Sequence, residues 1–304
     1  MELGLCMIVK NEAHQIGDCL DPIVDLFDQV RIIDTGSTDG TPQLLRDRFG
    51  IEPVLQPSQC RNFSALRNQG LAQLETSWVL SLDADERLDR HQLEQIRKDY
   101  LNPTVAGYFS CWQTHHAYRP PIEDYKLILF RKGLEHRGQI HENVQLDIRD
   151  RNLKAQWLDQ LVLHHYPDES RASQKKKTYC QRLVDGIKKM PTWYRYHWFL
   201  GYTLFRAGKI QPAIEYLSIA AEAQSLQFPV ECLNSQMVLI EIHAQQGQTD
   251  VVYPLIQKAQ QFYTQVADDF EVKVNFRLRP WLEQAWHQYQ ARKLNAIKAY
   301  QFAH

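Results

Sequence analysis

Two aspartates constrain the first half of this chain most: Asp34 and Asp83 each end a short apolar run, and such runs alternate with amphipathic stretches. Leu3–Val9 (LGLCMIV) is continuously apolar and of strand length, as expected of a strand covered on both faces. Ile16, Cys19, Leu20, Ile23, Val24 and Phe27 then recur at helical spacing and predict a helix with one apolar stripe. Val30–Asp34 (VRIID) predicts a second strand. Thr41-Pro42 predicts a helix start, with Thr41 as cap and proline at the first helical position. A short strand is expected near Val54, a helix over Phe63–Leu74 and a fourth strand over Trp78–Asp83. This alternation places the segment in the α/β class, as a Rossmann-like, mostly parallel sheet with crossover helices. Ligands of such sheets bind beyond the carboxyl ends of the strands, so Asp34 and Asp83 are expected on one rim.

From Gly107 to His165 the pattern is mixed, with short strand candidates GYFSCW, KLILF and LVLHH separated by polar loops. Beyond Lys175 it turns helical. Residues 195–223 read as two helices joined by Ala207-Gly208-Lys209, with Gly201, Ala213, Leu217 and Ala220 at packing positions of a tetratricopeptide-like hairpin. Gly247, Val252, Ile256 and Ala259 echo them in a degenerate copy, and QARKLNAIKAY suggests a third half-copy. Two domains are expected: residues 1–175, and an all-α, helical-hairpin domain over 176–304.

With 44% hydrophobic and 23% charged residues, 304 positions are enough for one large core or two ordinary ones. A formal net charge of −1 supplies no drive for phosphate neutralisation, so nucleic acid is not an expected partner. The run Lys175-Lys176-Lys177 reads as a solvated helix face. Cys6, Cys19, Cys60, Cys111, Cys180 and Cys232 form no CxxC pair and no tight framework, which fits a reducing cytoplasm and argues against structural zinc. The N-terminal apolar run lacks the basic start and length of a secretory signal, and no stretch approaches the ~20 apolar residues that span a bilayer. No transmembrane segment is expected.

Asp83-Ala84-Asp85 leaves the fourth strand as two carboxylates spaced by one small residue. Such a pair can share Mg²⁺ or Mn²⁺ together with a diphosphate, although the same triplet also serves as an ordinary strand-end turn. Asp34 opens TGSTDGT, a turn of capping residues in which a carboxylate could also accept a base or ribose hydrogen bond. Glu12, after the first strand, points from the same rim or interacts with a helix dipole. The aromatic cluster Trp193–Trp198 reads as helix packing, although sugar rings stack on such side chains too.

MIVKNEAHQIGDCL (7–20), VRIIDTGSTDGT (30–41) and FSALRNQGLAQLETSWVLSLDADERL (63–88) together resemble family 2 glycosyltransferases. The resemblance is strongest to the branch of lipopolysaccharide-core β-1,4-glucosyltransferases and peptide S-glycosyltransferases. LFRKGLEHRGQIHE (129–142) and LHHY (163–166) fit the same branch, so the likeness covers residues 3–180. It implies a GT-A fold, a UDP-sugar donor such as UDP-glucose, Mn²⁺ or Mg²⁺, and inversion at the anomeric carbon. By that resemblance the backbone at Val9, with Glu12, lines the nucleoside pocket and Asp34 contacts the base. Arg67 faces the nucleotide, Asp83 sits by ribose and metal, and Asp85 ligates the metal directly. His165, with His164 beside it, would complete the metal or diphosphate site.

An inverting reaction needs a general base for the acceptor. Glu142 in QIHE is the favoured candidate, with Glu123 or Asp124 in PPIEDY as the others. A cysteine acceptor would need a strong base less. The chain departs from the family at Gln59-Cys60-Arg61-Asn62, where acidic residues are usual, and at Pro167, where a following glycine is usual. The acceptor is expected to be a saccharide or a polypeptide, recognised by the helical domain, which could instead bind a protein partner or self-associate. The alternative is a non-catalytic scaffold with a degenerate transferase domain. A nucleotidyltransferase is disfavoured because KNEAHQIG supplies no glycine-rich phosphate loop.

Overall fold

The computed structural model describes residues 2–57, 62–98, 101–168, 172–274 and 278–302. The chain divides into two compact units, Met1–Ala172 and Ser173–His304.

The first unit is built on eight strands: β1 (Leu3–Val9), β2 (Gln29–Asp34), β3 (Val54–Leu55), β4 (Trp78–Leu82), β5 (Glu86–Leu88), β6 (Val105–His116), β7 (Arg119–Arg131) and β8 (Lys154–His165). They form one sheet in the order β3-β2-β1-β4-β7-β6-β8-β5. The β3-β2-β1-β4 half is parallel throughout. Beyond β4 the sheet is mixed: β7 runs antiparallel to β4 and β6, β8 parallel to β6, and β5 antiparallel to β8. The expected α/β class is therefore observed, with a mostly parallel sheet. Among the described residues it is accompanied by the α-helices α1 (Ile16–Leu20), α2 (Thr41–Phe49), α3 (Phe63–Leu71), α4 (Arg90–Lys98) and α5 (Gln145–Asp150).

The core explains the apolar runs. Leu3, Leu5, Met7 and Val9 of β1 pack in one cluster with Ile32, Leu80, Leu82 and the helical Ile16, Cys19 and Leu20. Alternate β1 residues face α3: a Cβ added at Gly70 would stand 2.9 Å from Cys6 Sγ, so only glycine lets α3 lie this close to β1.

Three local expectations differ from the structure. The stripe from Ile16 to Phe27 is not one helix, because Pro22 has no N–H to continue α1; the chain turns and resumes as a 3-10 turn at Val24–Leu26, with Ile23 still fully buried. Gly40, at φ +86°, and not Thr41, occupies the cap of α2. Separate short strands at GYFSCW and KLILF prove to be one ribbon of β6 and β7, whose outer half is polar because it is not covered by core.

The second unit is all helical among its described residues: α6 (Ala172–Lys189), α7 (Tyr194–Arg206), α8 (Ile210–Ala223), α9 (Pro229–Gln245), α10 (Thr249–Val266), α11 (Phe270–Val274) and α12 (Leu278–Phe302). α7 and α8 form the expected hairpin through Gly208 at φ +72°, and Gly247 at φ +71° ends α9 in the same way. Gly201 lies against Leu217, so its hydrogen is the side chain that this helix crossing requires. Lys175-Lys176-Lys177 lies on α6. No described helix is long and apolar enough to cross a membrane.

A candidate donor site at the strand ends

The loops that follow β1 and β2 are joined by the polar side chains of the TGSTDGT turn. Asn11 takes a positive φ of 58°, which aims its N–H at Ser37 Oγ (2.8 Å) and its Oδ1 at the Thr38 N–H (2.7 Å). The Glu12 N–H donates to Thr41 Oγ1 at 2.9 Å and the Ala13 N–H to Asp39 Oδ2 at 3.1 Å. The hydroxyl expected to cap α2 is thus used to hold the neighbouring loop. The Val9 carbonyl, at the end of β1, accepts the Thr35 N–H at 3.0 Å. Glu12 Oε2 accepts from Gln15 at 2.6 Å.

Asp34 is fully buried at the end of β2. Its Oδ1 accepts the N–H groups of Gly36 (2.9 Å) and Ser37 (2.7 Å), while Oδ2 is buried and takes no hydrogen bond among the described residues. A buried carboxylate oxygen without a donor is costly, so it marks a place where a ligand donor is favoured.

Asn62 caps α3 by accepting the Ala65 N–H at 3.2 Å, and Gln59-Cys60-Arg61, where the sequence departs from the acidic residues usual in the family, lie outside the described residues. The close packing of α3 carries Arg67 over the end of β4. Its guanidinium donates from Nη1 to Ser81 Oγ (3.0 Å), from Nη2 to Asp83 Oδ1 (2.5 Å) and from Nε to Glu142 Oε1 (2.7 Å). The loop bearing Glu142 is held to α3 by two bonds between Asn68 and His136, at 3.0 and 2.8 Å. Asp83, Arg67 and Glu142, three residues singled out in sequence, therefore form one network.

Lys126 of β7 completes it. Its Nζ donates to Asp83 Oδ2 at 2.9 Å and to Glu86 Oε1 at 2.6 Å, and Glu86 Oε2 accepts the Asp83 N–H at 2.8 Å. Ser81, Glu86 and Lys126 were not foreseen. The available signal was a lysine opening the apolar run LILF and a glutamate directly after DAD. Desolvation opposes charge throughout this network, yet Lys126 and Arg67 outweigh it at Asp83 and hold its carboxyl well below the usual range. Desolvation also acts against Lys126, but Asp83 and Glu86 raise its affinity for the proton. At Glu86 desolvation wins, with the Asp83 charge assisting, and the carboxyl is raised.

Asp85 points elsewhere. Its Oδ2 lies 3.4 Å from His165 Nε2, and its carbonyl accepts the Tyr166 N–H at 2.8 Å. β5 pairs Glu86 with His165, which brings the end of β8 beside the DAD turn. His165 is oriented by Thr114 Oγ1, 3.1 Å from Nδ1, and by stacking on Trp112 at 4.8 Å. His164 turns to the opposite face of the sheet and contacts His115, Nδ1 to Nε2, at 3.0 Å. Asp124 pairs across β6–β7 with Trp112 and so shares the sheet face of Trp112 and His165, where it is exposed. Glu123 takes the other face and accepts from Gln113 at 3.0 Å.

Asp85 and His165 are the two potential ligands of a divalent ion that come into contact here. Two neighbouring ligands with metal bonds of ~2.1 Å stand ~3 Å apart, close to the Asp85–His165 separation. Asp83 is turned away into its cation pair, and among the described residues no three His, Cys, Asp or Glu side chains surround a common point. Such a two-ligand site relies on water and substrate phosphates for its remaining coordination.

Residues 5–146 match the family model for Glycosyl transferase family 2. A TPR repeat-containing protein of Synechococcus elongatus is 34% identical over 107 residues, covering 35% of this chain and 26% of its own length. The SPbeta prophage-derived glycosyltransferase SunS of Bacillus subtilis is 22% identical across 69% of this chain and 51% of its own. A lipopolysaccharide core biosynthesis glycosyltransferase of Rhizobium meliloti is 31% identical across 30% of this chain and 34% of its own. The chain thus spans about a quarter to a half of the length of these relatives. Residues 5–146, which contain the strand-end carboxylates and Arg67, thus match the Glycosyl transferase family 2 model, and the glycosyltransferase relatives are similar to this chain.

Proposed function

We propose that the chain transfers a hexose, with glucose the first candidate, from a UDP-sugar to a saccharide or polypeptide acceptor, inverting the anomeric configuration with the aid of Mn²⁺ or Mg²⁺. The observation that carries this reading is the pairing of two features on one rim: a buried, unpartnered Asp34 Oδ2, and the Arg67–Asp83 network beside Asp85 and His165.

In this reading Asp34 Oδ2 accepts a base N–H, and Val9 and Glu12 border the nucleoside. Asp83, locked by Arg67, presents its carboxylate towards the ribose. Asp85 and His165 hold the ion, and an imidazole beside a carboxylate favours Mn²⁺ over Mg²⁺. The ion, when bound, neutralises charge on the departing diphosphate. Asp124 is the preferred base, since Glu142 faces Arg67 and its side chain is only 10% exposed, whereas Asp124 is open on the face of His165. Asp124 takes the acceptor proton as the acceptor atom bonds to the anomeric carbon and the bond to the diphosphate breaks on the opposite side. The name of the Rhizobium relative supports a saccharide acceptor. The helical unit would then contact the acceptor or a protein partner.

Calorimetric titration with UDP, GDP and their common sugars, first with Mn²⁺ and then with EDTA, tests the donor assignment. Metal-dependent binding of UDP and one UDP-sugar is expected; no nucleotide binding under either condition would remove it and favour a scaffold.

A further inference from the structure

Lys126 lies between the motifs quoted for the family resemblance, inside the matched residues 5–146, and it is central to the charge balance at the strand ends. Asp83 has both carboxylate oxygens engaged by protein cations, Oδ1 by Arg67 at 2.5 Å and Oδ2 by Lys126 at 2.9 Å. The ammonium is also fixed by Glu86, whose side chain is 1% exposed, and it stands 5.8 Å from the centre of the Trp112 ring. A divalent ion ligated by Asp83 would stand close to the Lys126 ammonium and be repelled by it. Asp85, two residues on, instead has its Oδ2 3.4 Å from His165 Nε2, with no lysine or arginine paired to it among the described residues.

We propose that Lys126 is an internal counter-cation that withholds Asp83 from the divalent ion in the nucleotide-free chain. The resting site then offers the metal Asp85 and His165 alone, and strong metal binding waits for the oxygens and negative charge of the diphosphate. Nucleotide and metal are coupled for that reason: each supplies what the other lacks. The inference rests on the donor-site reading above, but its central comparison needs no nucleotide.

The experiment is a Mn²⁺ titration of the full chain, read from the electron paramagnetic resonance signal of the free ion, with and without UDP. In the nucleotide-free wild type, Asp85→Asn should abolish Mn²⁺ binding while Asp83→Asn leaves it within about threefold, since Asp83 is already withheld. The double change Glu86→Gln with Lys126→Met avoids stranding a buried carboxylate, and the glutamine oxygen still accepts the Asp83 N–H. It should tighten nucleotide-free Mn²⁺ binding about tenfold and shrink the UDP-induced gain. Lys126→Arg, which keeps the charge, should behave as wild type. The proposal is overturned if Asp83→Asn weakens nucleotide-free Mn²⁺ binding as strongly as Asp85→Asn. It is equally overturned if the double variant, folded by circular dichroism, binds Mn²⁺ no better. If the wild type fails to bind UDP, the donor reading falls while the Mn²⁺ comparison still decides the role of Lys126.

Discussion

Arg67 and Glu142, 75 positions apart in the chain, meet at 2.7 Å, and the same guanidinium reaches Asp83 at 2.5 Å. This contact joins helix α3, the end of β4 and the loop after β7, so one side chain holds three segments of the proposed donor site in register.

Removing that cation takes from Glu142, whose side chain is only 10% exposed, the guanidinium that it meets at 2.7 Å. Arg67→Ala is expected to cost about 3–5 kcal/mol of stability, because a buried pair that loses one member retains the desolvation penalty of the other. Arg67→Lys keeps the charge but cannot fork to Ser81, Asp83 and Glu142 together, and should fall between the two. Thermal unfolding followed by circular dichroism distinguishes the three proteins; identical melting curves would contradict the network's role.

Asp124 and Glu142 make opposite predictions as bases. Asp124→Asn should lower kcat by about 10²–10⁴ with UDP affinity retained. Glu142→Gln should mainly destabilise the fold and weaken donor binding, since its partner is Arg67. Steady-state kinetics of the two variants, with UDP binding measured separately, decide between them, and an inactive but nucleotide-competent Glu142→Gln would reverse the assignment.

His136 is buried with its ring edge-on to Phe130, 5.6 Å between centroids. Burial, assisted by the Arg67 charge, holds its pKa well below the ordinary histidine value of 6.5. The native state therefore binds fewer protons than the unfolded chain once the pH drops below that value. Stability should be fully present above about pH 6.5 and decline by up to ~1.4 kcal/mol per pH unit below it, until the folded group itself protonates. Urea unfolding between pH 7.5 and 5 should show this slope, reduced in His136→Gln; an unchanged slope would assign it to other groups.

In the helical unit, a Cβ on Gly201 would stand 2.7 Å from Leu217 Cγ and 3.1 Å from its backbone nitrogen. Gly201→Val should cost about 1–3 kcal/mol through overpacking between α7 and α8. A variant as stable as wild type in chemical denaturation would mean that the hairpin opens at little cost.

Much of the site's location was legible before folding was considered. Asp34 and Asp83 stand where apolar runs end, and the parallel β3-β2-β1-β4 order puts such ends on one rim. Gly208 and Gly247 marked the helical turns because a positive φ is a local demand. These features are encoded within a few residues of each other, which is why periodicity reveals them.

Tertiary structure decided what periodicity could not carry. Thr41 looked like a cap, yet its hydroxyl serves the loop after β1, because Gly40 takes the left-handed conformation there. Lys126 reads as a polar residue at a strand start; only the antiparallel placement of β7 beside β4 puts its ammonium between Asp83 and Glu86. Asp83 and Asp85 look equivalent in DAD, but pairing of β5 with β8 sends Asp85 to His165 and leaves Asp83 with Arg67 and Lys126. The sequence by itself determined which residue types end the strands, since burial of alternate or continuous apolar side chains is a local pattern. Which charges neutralise one another depends on contacts between residues tens of positions apart, and those distances exist only once the sheet has closed its order.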